Sequence, residues 1–96
     1  MQSGHVPVMK LAVEDPGWLP LVKAAWEFAR QFGNHFSGKW IIENAQAGWF
    51  PNLKPLVTRG IFEKEYSNAS GKKAYYRLID ADGTGRALRE LGLVRD

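Results

Sequence analysis

The second half of the chain, residues 53–93, contains the succession of elements that most restricts the fold. It reads LKPLVTRGIFEKEYSNASGKKAYYRLIDADGTGRALRELGL. A short segment with apolar residues at helical spacing ends at Gly60, and glycine is the residue that most often follows a helix. Two runs typical of β-strands come next, at 61–67 and 72–79, and a turn that contains glycine separates them. An amphipathic helix rich in arginine closes the segment. We therefore expect a helix, a β-hairpin with a basic tip, and a final helix.

The first half is predicted to be helical. Asp15 and Pro16 are typical of a helix start, because aspartate caps free amide groups and proline fits the first helical position. Apolar residues then recur at steps of three and four as far as Phe32, which predicts one amphipathic helix with a buried stripe. The stripe consists of Trp18, Leu21, Val22, Ala25, Trp26, Ala29 and Phe32. A second helix is predicted over residues 39–47 and a third over residues 53–59.

The positive charge of the chain lies in its second half. The 96 residues carry 13 Lys and Arg against 10 Asp and Glu, a net charge of +3. Residues 1–50 contain equal numbers of each sign, so the whole excess belongs to residues 51–96. This asymmetry fits an anionic partner near the C-terminal half, and it also fits an ordinary solvated surface. Cysteine is absent, and no apolar run approaches the roughly 20 residues that span a bilayer. These features favour a cytoplasmic protein without membrane contact.

The strings LKPLVTRGI and GKKAYYRLIDADGTGRALRELG resemble those of a known family. Over residues 38–93 the pattern is similar to winged helix-turn-helix proteins of the MarR/ArsR type, in which a helix leads into a β-hairpin wing. The matching positions are Leu53, Leu56, Val57, Gly60, Ile61, Gly71, Tyr75, Tyr76, Arg77, Leu78, Asp80, Gly83 and Leu88. The resemblance implies an α+β winged helix-turn-helix domain over residues 15–96, with three helices, a two-stranded wing and a C-terminal helix. We expect residues 1–14 to be a flexible N-terminal segment.

Seven polar residues are candidates for contact with double-stranded DNA. The resemblance implies that the third helix enters a major groove while the wing contacts the backbone or the minor groove. The candidates on or beside the helix are Asn52, Lys54, Thr58 and Arg59, and those of the wing are Lys72, Lys73 and Arg77. Basic side chains at such places neutralise phosphates. The two wing lysines can also protect an exposed strand from pairing, and Arg59 can simply favour the helix dipole. The expected function is transcriptional regulation through DNA binding.

The short third helix, with Pro51 and Pro55 at its start, favours an alternative function. The resemblance implies that relatives with strong sequence readout carry a longer helix with more polar residues on its outer face. A winged-helix module that binds other proteins, without DNA binding, fits the shorter helix. Such a module could form a homodimer through the Trp-rich helix that contains Trp18 and Trp26. Dimerisation alone agrees with both hypotheses, so DNA binding has to separate them.

The residues predict neither catalysis nor a cofactor or metal site. The chain has two histidines and no cysteine, and it shows no nucleophile–base arrangement. Residues 80–85 begin like a calcium loop, but position twelve is Leu91, so the bidentate ligand is missing. We interpret this loop as the start of the last helix, with Asp82 or Thr84 as its cap. We expect no enzymatic activity.

Arg86 and Arg89 of the last helix are three residues apart and therefore share one face. Two interpretations remain for them. They could form a second basic strip, or they could be solvated charges that pair with Asp82 and Glu90. The second interpretation is favoured, because exposed charges on helices are usually solvated.

Overall fold

The computed structural model describes residues 5–45, 53–67 and 74–94, which form five helices and a three-stranded antiparallel sheet. The architecture is therefore α+β, as the sequence predicts. The elements in chain order are α1 His5–Glu14, α2 Leu19–Phe32, β1 Phe36–Ser37, α3 Gly38–Asn44, α4 Lys54–Thr58, β2 Phe62–Ser67, β3 Ala74–Leu78 and α5 Ala81–Glu90. A 3₁₀ turn at Pro16–Trp18 leads into α2.

The long helix α2 has the buried stripe that the apolar spacing predicts. Its buried residues are Leu21, Val22, Ala25 and Trp26, and Trp18 is buried just before it. The helix ends at Gly33, whose φ of 118° suits glycine, so the predicted end is confirmed. Phe32 departs from the prediction, since it is 71% exposed. It occupies the last helical position, where the chain turns away toward β1, and its ring packs on Phe28.

Helix α1 occupies most of the segment that the sequence predicts to be flexible. Val8 and Leu11 are fully buried, and the helix packs against α5 at the other end of the chain. A contact between the His5 ring and the Glu90 carboxylate joins the same two helices. The prediction for residues 1–14 is therefore wrong over His5–Glu14, and the folded unit begins before residue 15. The buried face of α1 is narrow and its partner is remote in sequence, so no local pattern revealed it.

The sheet has the strand order β1-β3-β2, so the predicted hairpin is flanked by an additional strand. In the hairpin, Phe62 lies opposite Leu78 and Glu63 lies opposite Arg77, and a bulge interrupts the register between residues 64 and 66. Strand β1 pairs Phe36 with Tyr76. This two-residue strand is too short to produce a period-2 pattern, which explains why the sequence did not predict it.

The Asn34 side chain continues the β1 edge of the sheet beyond the strand itself. Its Nδ2 donates to the Leu78 carbonyl oxygen at 2.9 Å, and its Oδ1 accepts from the Leu78 amide at 2.8 Å. One side chain therefore satisfies both backbone polar groups of a buried strand residue. The contact fixes the end of β3 to the loop that follows α2.

Two glycines permit close packing in the core. A Cβ atom at Gly85 of α5 would lie 2.5 Å from Nε1 of the Trp26 indole, and one at Gly38 would lie 2.7 Å from Cε1 of Tyr76. Neither distance is compatible with a real side chain, so only glycine lets each aromatic ring lie directly on the helix backbone. Burial also raises the pKa of the Tyr76 phenol.

The helix caps agree with the predictions at α3 and differ at α5. The Ser37 hydroxyl accepts from the Trp40 amide at 3.4 Å, as expected for a helix that opens at this serine. At α5 the cap is Asp80, whose Oδ1 accepts from the Gly83 amide at 3.1 Å. The predicted caps Asp82 and Thr84 are wrong, because the helix begins at Ala81 and both residues lie within its first turns.

Candidate nucleic-acid interface

Helix α4, which corresponds to the predicted third helix, presents one polar face to solvent. Leu53 and Leu56 are three residues apart and buried, so they hold the helix against the core. Lys54 and Thr58 are four residues apart and exposed, so both lie on the opposite face. With Pro55 and Arg59 they line one depression in the surface. The ammonium and hydroxyl groups are hydrogen-bond donors of the kind that contacts phosphate oxygens.

The chain passes directly from α4 into the hairpin. Gly60 has a φ of 80°, in the left-handed region, and this turn delivers Ile61 and Phe62 to the core, where both are fully buried. The Ile61 amide donates to the Leu56 carbonyl oxygen, and the Ile79 amide donates to that of Ile61. The helix and the hairpin are therefore held next to each other by buried residues and backbone hydrogen bonds.

Arg59, at the end of α4, forms an ion pair with helix α1. Its Nη1 donates to Oε1 of Glu14 at 2.7 Å, and both side chains are partly exposed. This hydrogen bond and the positive charge of Arg59 lower the pKa of the Glu14 carboxyl below its ordinary value. The guanidinium predicted to contact DNA is therefore partly neutralised by a carboxylate from the segment that the sequence predicts to be flexible.

Arg77 on β3 is engaged in a similar way within the hairpin. Its Nε donates to Oε1 of Glu63 at 2.6 Å, across the register pair that joins the two strands. Its Nη1 also donates to the Leu78 carbonyl oxygen at 3.3 Å. The structure places Arg77 on the outer face of the sheet, since its neighbours Tyr76 and Leu78 are buried.

The remaining predicted site residues, Asn52, Lys72 and Lys73, lie outside the described residues. Of the seven candidates, the structure thus brings Lys54 and Thr58 of α4 together with Arg59, which follows the helix, and places Arg77 on the hairpin. The predicted contact of the hairpin tip with phosphates stays a prediction.

The outer face of the sheet carries the side chains of His35 and Tyr75 beside Arg77. The His35 ring stacks on the Tyr75 ring, with centroids 5.1 Å apart and planes 3° from parallel. Its Nδ1 lies 2.5 Å from Oε1 of Glu65. His35 is exposed. The stacked pair gives this face an aromatic surface as well as charges.

The carboxylates that contact the predicted site were not found from the sequence. Glu14 precedes Arg59 by 45 residues, and nothing local to either residue indicates the pairing. The pairing of Glu63 with Arg77 follows from the hairpin register, which depends on where the strands begin and on a bulge. Only a correct prediction of the strand register would have indicated that Glu63 pairs with Arg77.

Comparison with known proteins gives no family for this chain, because no family model, curated protein or solved structure matches it. Within residues 5–45, 53–67 and 74–94, no helix has the length and apolar character to cross a membrane. The same residues contain no cluster of three or more His, Asp or Glu side chains able to hold a metal ion.

Proposed function

We propose that the chain is a winged helix-turn-helix domain that binds duplex DNA, as a cytoplasmic regulator of transcription. The proposal assigns α3 and α4 to the helix-turn-helix and β2 with β3 to the wing. The element order supports it, because two short helices precede the hairpin and a short strand pairs with its return strand. In such domains the second helix of the pair enters the major groove.

The observation that carries the proposal is the exposed polar face of α4 beside the hairpin. The packing of the core does not require polar side chains at Lys54 and Thr58, because Leu53 and Leu56 supply the buried contacts of this helix. A helix anchored on one side, with a cation and a hydroxyl on the other, suits the approach to a phosphate backbone. The excess of positive charge in residues 51–96 acts in the same direction.

The ion pairs of Arg59 and Arg77 are compatible with DNA binding. Both pairs are partly exposed, and exposed ion pairs contribute little to stability because water screens them. A phosphate can replace a carboxylate as the partner of a guanidinium, since each of these anions can accept two parallel hydrogen bonds from it. Each arginine can therefore exchange its carboxylate for a phosphate at small cost.

The experiment is a titration of fluorescently labelled duplex DNA of random sequence, followed by anisotropy at two salt concentrations. We expect binding that weakens steeply with salt, as counterion release requires. The double substitution Lys72→Ala with Lys73→Ala should reduce the dependence of log K on log salt by about 2, and Lys54→Ala should reduce it by about 1. Lys23→Ala on α2 is the matched control, because it removes the same charge from a different surface.

Two results would remove the proposal. One is the absence of binding even at low salt. The other is binding that Lys54→Ala and the double substitution leave unchanged while Lys23→Ala weakens it, because the interface would then lie on α2.

A protein-interaction module is the second candidate function, and an exposed aromatic cluster favours it. Phe28 packs on Phe32 at 5.0 Å and on Trp40 at 4.6 Å between ring centroids, and Trp40 is 37% exposed. Trp18 and Trp26, from the Trp-rich helix predicted for the homodimer, are buried, as their place in the apolar stripe predicts. Concentration-dependent self-association that Phe32→Ser abolishes, without any DNA binding, would favour this function.

A further inference from the structure

The exposed face of α4 contains an apolar depression, which the proposed contacts with phosphates leave unexplained. Four residues line it: Lys54, Pro55, Thr58 and Arg59. Their spacing of one, three and one residues places them in two adjacent rows along the helix, so they form a single patch. The patch lies opposite Leu56, which holds the helix against the core. We call it the α4 depression.

The helical spacing also orders the four residues across this face. At roughly 3.6 residues per turn, Thr58 and Pro55 lie in the middle, and Lys54 and Arg59 lie on the two flanks. Pro55 contributes the methylene groups of its ring, and Thr58 contributes a methyl group beside its hydroxyl. Both residues are exposed, so the core does not require them. The face is therefore apolar in its middle and bears a basic residue on each flank.

The dimensions of α4 match a short stretch of the major groove. Its five residues rise about 7.5 Å, which corresponds to about two base-pair steps. The groove is about 12 Å wide and admits one helix, whose flanks then face the two phosphate strands. Lys54 and Arg59 are complementary in charge to those strands, once a phosphate replaces Glu14 at Arg59. The middle of the face is left to the edges of the bases.

We propose that Pro55 and Thr58 recognise the C5-methyl group of thymine in the major groove of duplex DNA. This inference rests on the proposed function and adds a base preference to it. The thymine methyl is the apolar group that base edges present in this groove. A hydroxyl alone discriminates poorly, because it can donate to one base edge and accept from another. Beside Pro55, the amino group of cytosine would lose water without gaining a hydrogen bond.

The test compares two labelled duplexes of one sequence, the second with deoxyuridine in place of every thymidine, so that only the C5-methyl groups differ. Fluorescence anisotropy with the whole chain measures both Kd values at the same low salt concentration. We expect the thymidine duplex to bind about fourfold more tightly for each methyl group that α4 buries.

Two variants separate the base preference from the affinity. Pro55→Ala with Thr58→Ser removes the apolar groups but keeps the hydroxyl, every charge and a good helix former. This variant should bind the two duplexes equally, with the salt dependence of the wild type. Lys54→Ala is the matched counterpart, because it should weaken the binding of both duplexes and keep their ratio. Thr58→Ser alone, which retains Pro55, should lower the ratio in part.

Three outcomes would overturn the inference, and they distinguish it from the proposed function. Equal binding of both duplexes by the wild type, with a steep salt dependence, would exclude the methyl contact and leave the proposed function in place. An unchanged ratio in the double variant, confirmed as folded by circular dichroism, would assign the preference to the flexibility of the DNA. No binding of either duplex at low salt would overturn both, and the α4 depression would become a candidate contact for a protein.

Discussion

The helices α5 and α4 are both short and amphipathic, yet the core constrains them very differently. Five of the ten residues of α5 are buried, and two of these are glycines. In α4 only Leu56 of its five residues is buried. Packing therefore dictates much of the sequence of α5, whereas most of α4 is free to vary without loss of the fold. The comparison teaches that the residues of α4 are better evidence of binding than those of the α5 core face.

The largest expected effect concerns α1, which packs against α5 and, like α5, is constrained by the core. Leu11→Ala should lower the free energy of unfolding by about 2–5 kcal/mol, because it leaves a cavity at a fully buried position. Urea denaturation measures it. Val13→Ala on the same helix is the control, since Val13 is 84% exposed and its loss should change stability by less than about 0.5 kcal/mol. Equal stability of the two variants would mean that α1 does not pack against the core, and it would favour the prediction of a flexible segment.

A smaller effect is expected at the contact between α5 and α2. Gly85→Ala should lower the free energy of unfolding by about 1–3 kcal/mol, because the new methyl group displaces the rigid Trp26 ring. The better helix propensity of alanine offsets part of this loss. In Gly17→Ala the nearest atom would be 3.7 Å away, an ordinary contact, so thermal denaturation should show little change. A stabilised Gly85→Ala variant would mean that this face tolerates side chains as freely as α4 does.

The smallest effect is expected at the ion pair between Glu14 of α1 and Arg59, the residue that follows α4. The folded-state pKa of Glu14 lies below its ordinary value of 4.5, so the ion pair stabilises the fold above that pH. This stabilisation is lost as the pH falls through the folded-state pKa. Glu14→Gln should therefore lose less stability on acidification than the wild type does, in urea titrations between neutral and acidic pH.

The same substitution also tests the proposed role of Arg59. With its carboxylate partner removed, the guanidinium needs no exchange before it contacts a phosphate, so DNA should bind slightly more tightly. Glu43→Gln, which removes an exposed carboxylate from α3, is the control for net charge. An identical gain in both variants would show a general charge effect and leave Arg59 without a specific role.

The elements that the sequence predicted are those whose signals are local. The stripe of α2, the serine cap of α3 and the two hairpin strands each depend on residues close together in the chain. Helix α1 and strand β1 depend instead on distant partners, α5 and β3. Their own segments are short, and Pro7 makes α1 less typical of a helix.

The candidate site shows the same division between local and distant information. The exposure of Lys54 and Thr58 follows from the spacing of Leu53 and Leu56, so the sequence was sufficient. The carboxylate beside Arg59 comes from α1, and the carboxylate beside Arg77 depends on the register of the hairpin. Such contacts are determined by tertiary packing, which a single sequence does not display.

The two hydrogen bonds between the Asn34 side chain and Leu78 affect how the sheet could pair with other chains. By occupying both hydrogen-bonding groups of Leu78, the amide takes the place of a strand and blocks pairing at that point. The opposite edge is β2, where three consecutive exposed charges, Glu63, Lys64 and Glu65, discourage the approach of a foreign strand. Pairing with a foreign strand is thus discouraged at Leu78 by an amide side chain that replaces a strand backbone, and along β2 by charge.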